Sequence, residues 1–476
     1  MKMDFLSRRD FAKKSVAYAA VGANAAFAQS KEIPVLRIGI LSDLHYRTFD
    51  NGKGLQNCLG IESTLRYLDR RKVDGVVVCG DITDFGTAEA LRQSGKLWFK
   101  VFPDNRRSDG EKITPLFLMG DHDMGGYMHT EHRKWVLPAC PDPKELEEII
   151  PEMDVAKLWK ECFREDWSPL EVKTLKGVQF VMAHHPRHTK ASDNGNSIPG
   201  LAEFMARQNF DPSKPFFYVQ HRVLRNTLGF DSRSGWESGK ATKVLEKYPN
   251  AIALCGHAHR NVTDEYSLWQ GAFTAIQVPS ANYCTTRYDH ENGYQRKGKV
   301  DIVSPPGNIR RSWQGLVGTL YSDRFVVERI DLLNEAKIAP DWVIPFPSPD
   351  GSQTVAVRAK KAVAPQFAPD AKVSANAQKM RTRAKKVEDV AMVSFPVAHA
   401  TERSPRAFDY RVDAVAGGKT IASKIVFSKG QFWIDEKDTL PVECPFRIGD
   451  LPGDWKTSVK FVVTPLDSFG NEGRSI

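Results

Sequence analysis

Cysteine is scarce. There are seven in 476 residues, an odd number, which excludes a disulfide-built scaffold. No apolar run is long enough to span a bilayer stably, which excludes a multispanning membrane protein. Charge of one sign is not in large excess either. Lys and Arg number 67 against 58 Asp and Glu, and the resulting +9 is not concentrated in one block. That balance helps attract an anionic substrate and does not indicate nucleic acid as a partner. No internal repeat of useful length is present. What is present is enough apolar material for a sizeable core, 41% against 26% charged residues, which excludes a wholly disordered chain. The length predicts about two to four domains.

The first residues read as an export address. Ser7-Arg8-Arg9-Asp10-Phe11-Ala12-Lys13 is followed by a short Ala- and Gly-rich stretch, Ser15 to Ala26, and by the small-x-small site Ala26-Phe27-Ala28. A charged segment, a brief apolar segment and a small-residue site make a secretory signal over residues 1–28. The paired arginines before Phe resemble the twin-arginine signal, which implies the twin-arginine export machinery, passage in the folded state, and a periplasmic or cell-surface location. After cleavage the protein is not expected to be integral to a membrane. The leader carries five basic and two acidic residues, so the mature charge falls to +6.

The mature chain alternates strand and helix signals. Val35 to Leu41, Asp74 to Cys79 and Leu116 to Met119 are short apolar runs that predict buried strands. Leu55 to Arg71 and Glu89 to Val101 have helical periodicity between them. Pro143 to Trp167 reads as an inserted helical region, and Glu171 to Ala183 as a hairpin around Lys176-Gly177. Pro215 to Gln220 and Ala251 to Cys255 predict further strands, with a helix at Gly239 to Lys247 between them. Gly315 to Ile330 alternates like a closing hairpin. This order argues an α/β architecture over about residues 33–340. A proline-punctuated segment near Ile344 to Pro349 then reads as a linker, 341–360. Beyond it, over 361–476, strand signals separated by Gly, Pro and Asp predict a small all-β sandwich. The last strand and turn, Thr464 to Asn471, resemble those of a fibronectin type III-like module. Basic residues from Lys360 to Lys386 read as solvated surface, because no aromatic ladder interleaves with them.

Five predicted strand ends present acids and imidazoles: Asp43/His45, Asp81/Asp84, Asp121/His122, His221 and His257/His259. Open α/β sheets place ligand sites at strand C-termini. Carboxylate and imidazole suit Zn, Fe or Mn, and this many groups exceed the needs of one tetrahedral ion. A pair of ions sharing a carboxylate would use them, and can clamp a phosphoryl group and acidify water.

D-x-H, G-D-x-x-D, G-D-H-D, a strand-end His and G-H-x-H, in this order, resemble the signature of the calcineurin-like binuclear metallophosphoesterases. The resemblance implies a layered α-β-β-α metallophosphoesterase fold, two divalent ions, a phosphate ester as small-molecule substrate, and hydrolysis of a phosphomonoester or phosphodiester by a metal-activated hydroxide. It implies that Asp43, His45 and His259 bind the first ion, that Asp81 bridges, and that Asp121, His221 and His257 bind the second. His122 would protonate the leaving group, oriented by Asp84. The family's fourth-motif histidine could also be His184. His221 is preferred because it directly precedes the helix and strand leading to His257.

Two departures stand out. The family usually carries Asn where this chain has Asp121, and the extra carboxylate lowers the net charge of a two-ion site from +2 to +1. This sustains an alternative: a metal-binding but catalytically weak surface or scaffold protein. Asp84 stands where purple acid phosphatases have a metal-binding Tyr, which argues against an iron–tyrosinate centre. His184, His185 and His188 read as a polar loop near the mouth. Arg47 and Arg222 read as surface arginines beside the motifs. Cys79 and Cys255 read as small core residues, while Cys140, Cys162, Cys284 and Cys444 could form bridges in an oxidising compartment. Trp98, Trp135, Trp236 and Trp269 fit packing as well as a substrate platform.

Overall fold

The computed structural model describes residues 33–48, 54–124, 148–193, 195–228, 237–285, 301–303, 309–310, 312–381, 386–398, 406–431 and 441–476. The export signal, Cys140, Trp135 and Trp236 lie outside these residues.

Two six-stranded sheets form the N-terminal part. The first has the order β15-β14-β13-β1-β2-β3, with β1 (Leu36–Leu41), β2 (Gly75–Cys79) and β3 (Thr114–Leu118) parallel. The antiparallel strands β13 (Gln314–Leu320), β14 (Arg324–Asp331) and β15 (Ala336–Pro345) extend it beyond β1. The second sheet has the order β4-β5-β6-β7-β9-β8. Its centre, β5 (Val178–Ala183), β6 (Phe216–Gln220), β7 (Ala251–Cys255) and β9 (Thr274–Gln277), is parallel. The edges β4 (Leu170–Leu175) and β8 (Leu268–Gln270) are antiparallel.

The side-chain period of two explains the layering. Ile38, Ile40, Val77 and Leu116 share an inner cluster with Phe180, Met182, Phe217, Val219, Ile252 and Leu254, so the sheets face each other. Alternate residues Val76, Val78 and Phe117 point outward to α1 (Gly54–Arg70), α2 (Ala88–Val101) and, beyond the short α3 (Asp121–Met124), α4 (Val155–Phe163). On the far side, Val181, Phe216, Tyr218 and Ala253 pack under α5 (Leu201–Ala206) and α6 (Lys240–Leu245). Strands covered on both faces need continuous apolar runs, which is why β2 reads Gly-Val-Val-Val-Cys. The result is the expected four-layer α-β-β-α core. Thr87 and Asp154 cap α2 and α4 by accepting from Ala90 N and Lys157 N. Trp98 packs in the core against Phe102 and Phe117.

The proline-punctuated segment expected as a linker from 341 begins inside β15, and its far end forms α7 (Val355–Lys361). Beyond it lie two smaller sheets. One is antiparallel, in the order β16 (Ser374–Arg381), β17 (Val387–Phe395), β20 (Val442–Arg447). The other has β18 (Asp409–Ala416) between β19 (Lys419–Phe427) and β21 (Val459–Leu466), again antiparallel. Val393, Phe446, Tyr410, Val412, Phe461 and Val463 form one apolar cluster between them. A short strand far upstream, β11 (Asp301–Val303), joins β19 in parallel, while β10 (Tyr283–Cys284) pairs with β12 (Ile309–Arg310). The two parts therefore share backbone pairing. Gln431 adds to the contact: its carbonyl accepts from Gln314 Nε2 at 3.0 Å and Thr263 Oγ1 at 3.1 Å, and its Oε1 from Asn261 Nδ2 at 3.2 Å.

Among the described residues, Cys162, Cys284 and Cys444 form no bridge with one another; all three are buried, as are Cys79 and Cys255. Among the described residues, no helix is long and apolar enough to cross a membrane.

Candidate metal centre

Each of β1, β2, β3, β6 and β7 ends at the same edge of the core, and the loop after each carries one motif. The loops fold tightly because their residues enter the left-handed region. Asp43, His45, Asp81, His257 and His259 have φ of 52°, 46°, 51°, 71° and 51°. A non-glycine residue there costs on the order of 1–2 kcal/mol, so five together mark strain concentrated at a functional site. Two motif glycines are required by close approach. A Cβ on Gly120 would overlap Asp81, and one on Gly256 would overlap Ser42 and crowd Asp43.

The seven expected ligands come together as two groups sharing one member. Asp43, His45, Asp81 and His259 form the first; Asp81, Asp121, His221 and His257 form the second, each group with one donor atom per residue within 4.8 Å of the others. Asp81 is common to both. His184 takes no part: of the two fourth-motif candidates, it is His221 that stands in the cluster, 3.1 Å from Asp81 and 2.9 Å from Asp121.

Hydrogen bonds set which ring nitrogen faces the centre. His221 Nδ1 lies 2.7 Å from Cys79 O, and His259 Nδ1 3.1 Å from Tyr283 O. A carbonyl can only accept, so both Nδ1 atoms carry hydrogen and Nε2 points inward. His45 Nδ1 lies 2.9 Å from Asp84 Oδ1, which turns its Nε2 inward as well. There, His45 Nε2 and His259 Nε2 face each other at 3.1 Å, and His259 Nε2 lies 2.9 Å from Asp43 Oδ1. His221 Nε2 has no hydrogen-bond partner, yet sits between two carboxylates. Converging lone pairs and carboxylate oxygens repel unless positive charge lies among them. Protons can supply part of it; divalent cations satisfy all these donors at once. The donor set fits two ions that accept nitrogen and oxygen ligands.

The electrostatics agree. Burial by itself would raise the Asp43 carboxyl, but His259, His221 and His45 overcome it and hold it well below the usual range. Burial likewise opposes ionisation of Asp121, and His257 and His221 prevail. Burial disfavours charge on His122, but Asp81, Asp121 and Asp84 raise it to about 9.

His122 is placed as expected beside the cluster, but Asp84 orients it differently. The Asp84 carboxylate is spent on His45 Nδ1 and on Arg47, and stands 3.8 Å from His122 Nδ1. The Asp84 backbone carbonyl, at 2.7 Å, holds that nitrogen instead. The reason is geometric: with the carboxylate turned to His45 and Arg47, the Asp84 main chain lies nearer to His122 than its side chain does. Arg47 and Arg222 are not free surface arginines, since they pair with Asp84 and Asp121.

Asp123 was not singled out by sequence, although it closes G-D-H-D. Buried in the same edge, it accepts from Gly120 N at 2.8 Å, Ile82 N at 3.1 Å, Thr83 N at 2.8 Å and Thr83 Oγ1 at 2.7 Å. It ties the β2 loop to the β3 loop. Burial and the Asp81 carboxylate push it up to about 6 against these donors. Its signal was a second acid two residues after the ligand, with no partner visible in sequence.

His184 and His185 are not at a mouth but buried. His184 Nδ1 accepts from Met119 N and Trp167 Nε1, both at 3.1 Å, and Nε2 faces Glu171 Oε1 at 3.7 Å. Burial lowers its pKa; Glu171 opposes this and Lys173 adds to it. The unfolded histidine takes a proton near 6.5, so its contribution is present above that pH and is lost as pH falls toward the folded value. Wild-type stability should therefore drop between pH 7 and 5 by up to about 1.4 kcal/mol per pH unit more steeply than that of His184→Asn. Urea titrations at several pH values check this, and equal slopes would sink it.

Residues 36–261 match the sequence profile of a family described as calcineurin-like phosphoesterase, a span that contains every motif from Asp43 to His259. No curated protein matches the chain. Among solved structures, a dimetal phosphatase from Danio rerio is 11% identical, covers 66% of this chain and 100% of its own, and superposes with a TM-score of 0.35. A purple acid phosphatase from yellow lupin (Lupinus luteus) seeds is 12% identical, with 65% and 54% covered and a TM-score of 0.37. Over residues 36–261, which hold every motif from Asp43 to His259, the chain is similar to the calcineurin-like phosphoesterase family.

Proposed function

We propose that the chain is an exported phosphoesterase that hydrolyses phosphomonoester or phosphodiester bonds at a site for two divalent ions, Mn, Zn or Fe. The observation that carries the reading is the shared position of Asp81 in two converging donor groups. Asp43, His45 and His259 would hold one ion with Asp81, and Asp121, His221 and His257 the other. Bound there, such ions supply Lewis acidity toward phosphoryl oxygens and acidify water. The remaining work falls to the chain. His122 donates its backbone N–H to Asp81 Oδ1 at 2.9 Å, fixing the bridging carboxylate. With Nδ1 held by the Asp84 carbonyl, His122 keeps its other ring proton at Nε2, 3.9 Å from Asp81 Oδ2, for the leaving oxygen. The signal over residues 1–28 supports export by the twin-arginine machinery.

The test is to strip the full mature chain of metal, reload it separately with Mn, Zn and Fe(II), and assay an aryl phosphomonoester and diester. Metal-dependent turnover of either is the expected result. Two tightly bound ions without turnover would favour the metal-binding, weakly catalytic alternative.

A further inference from the structure

We propose that Arg222 is a positioning residue that neutralises the outer oxygen of Asp121 and so allows a carboxylate to serve at that position; the inference rests on the metal-site reading above. Asp121 divides its oxygens. Oδ1 lies 2.9 Å from His221 Nε2 and 3.2 Å from His257 Nδ1, on the side where the donors converge. Oδ2 lies 3.3 Å from Arg222 Nη2, on the opposite side. The β6 end that delivers His221 delivers the guanidinium with the next residue. That side chain is only 13% exposed. Its Nη1 donates to Asn196 Oδ1, and the Asn196 backbone carbonyl accepts from Ser238 N at 2.7 Å. The guanidinium is thus held against Asp121 rather than released to solvent.

Guanidinium keeps its charge at every working pH. Two divalent ions with Asp43, Asp81 and Asp121 carry a net +1, and Arg222 returns the centre to +2, the value an amide at position 121 would give with no arginine beside it. The sequence departure and the arginine next to His221 are then two halves of one device. It keeps a carboxylate's grip on the ion without losing the positive field that draws an anionic ester.

This predicts changes of opposite sign. Mn binding to the full mature chain would be measured by calorimetry, with stoichiometry by elemental analysis. Arg222→Gln should tighten the weaker Mn site by about tenfold, and raise KM for the ester more than it lowers kcat. Asp121→Asn, with Arg222 unpaired, should loosen that site by about tenfold or more. The double variant should return to within about threefold of wild type. A merely structural arginine can only loosen the site when removed, so the sign decides. Unchanged or weaker Mn binding in Arg222→Gln, or a double variant that differs from wild type by tenfold or more, would overturn the inference. A wild type that binds two ions and hydrolyses nothing removes the phosphoesterase reading, while the Mn affinities of the three variants still decide the role of Arg222. A wild type that binds no Mn overturns both.

Discussion

Asp81→Asn should lower metal-dependent ester hydrolysis by about a thousandfold or more and reduce the bound metal to one ion or fewer. Asp81 is the one donor both groups share, and it is 1% exposed. An amide has a single weak donor oxygen and no charge, so it cannot serve two cations. The loss of one ion's Lewis acidity is worth several kcal/mol of barrier, and each 1.36 kcal/mol is a factor of ten. Asparagine has nearly the same shape, and its amide oxygen can still accept from His122 N. The fold should therefore survive, and a circular dichroism melt close to that of wild type would show it. Kinetics and elemental analysis on the same sample are the measurement. A variant retaining a tenth of the activity with two bound ions would mean that Asp81 does not bridge.

Asp123→Ala should have the largest effect on stability, about 3 kcal/mol or more by urea denaturation. The substitution removes the acceptor of three buried backbone N–H groups, Ile82, Thr83 and Gly120, and of the Thr83 hydroxyl. An orphaned buried donor costs about 1–3 kcal/mol, and the alanine methyl offers these groups nothing in return. The damage also spreads into the site, because Asp123 links the loop carrying Asp81 to the loop carrying Asp121. Metal binding should weaken even under conditions where the variant is folded. A loss below about 1 kcal/mol would show that the two loops hold together without it.

Much of this was legible along the chain. Apolar runs at Val35 to Leu41, Asp74 to Cys79 and Ala251 to Cys255 became strands within a residue or so of the expected bounds. Helical periodicity located α1 and α2 in the same way. A period of two or 3.6 is a local property, and burial on both faces forces it into the sequence. The motifs were legible because each ligand directly follows a strand, so chain position already implies an edge of the sheet. β8 and β9, of three and four residues, are too short to show a period, and the run of the edge strand β15 is interrupted by Pro340.

The sequence by itself determined the α/β order, the candidate ligands and the sheet edge on which they stand, because these follow from residue chemistry and from spacing along one strand at a time. Only the tertiary structure decided which partner each side chain found. It gave the Asp84 carboxylate to His45 and its carbonyl to His122, buried His184 under Trp167, set Arg222 against Asp121, and joined β11 to a sheet more than a hundred residues away. Such pairings depend on distances between chain segments remote in sequence, and these exist only once loops close and layers pack.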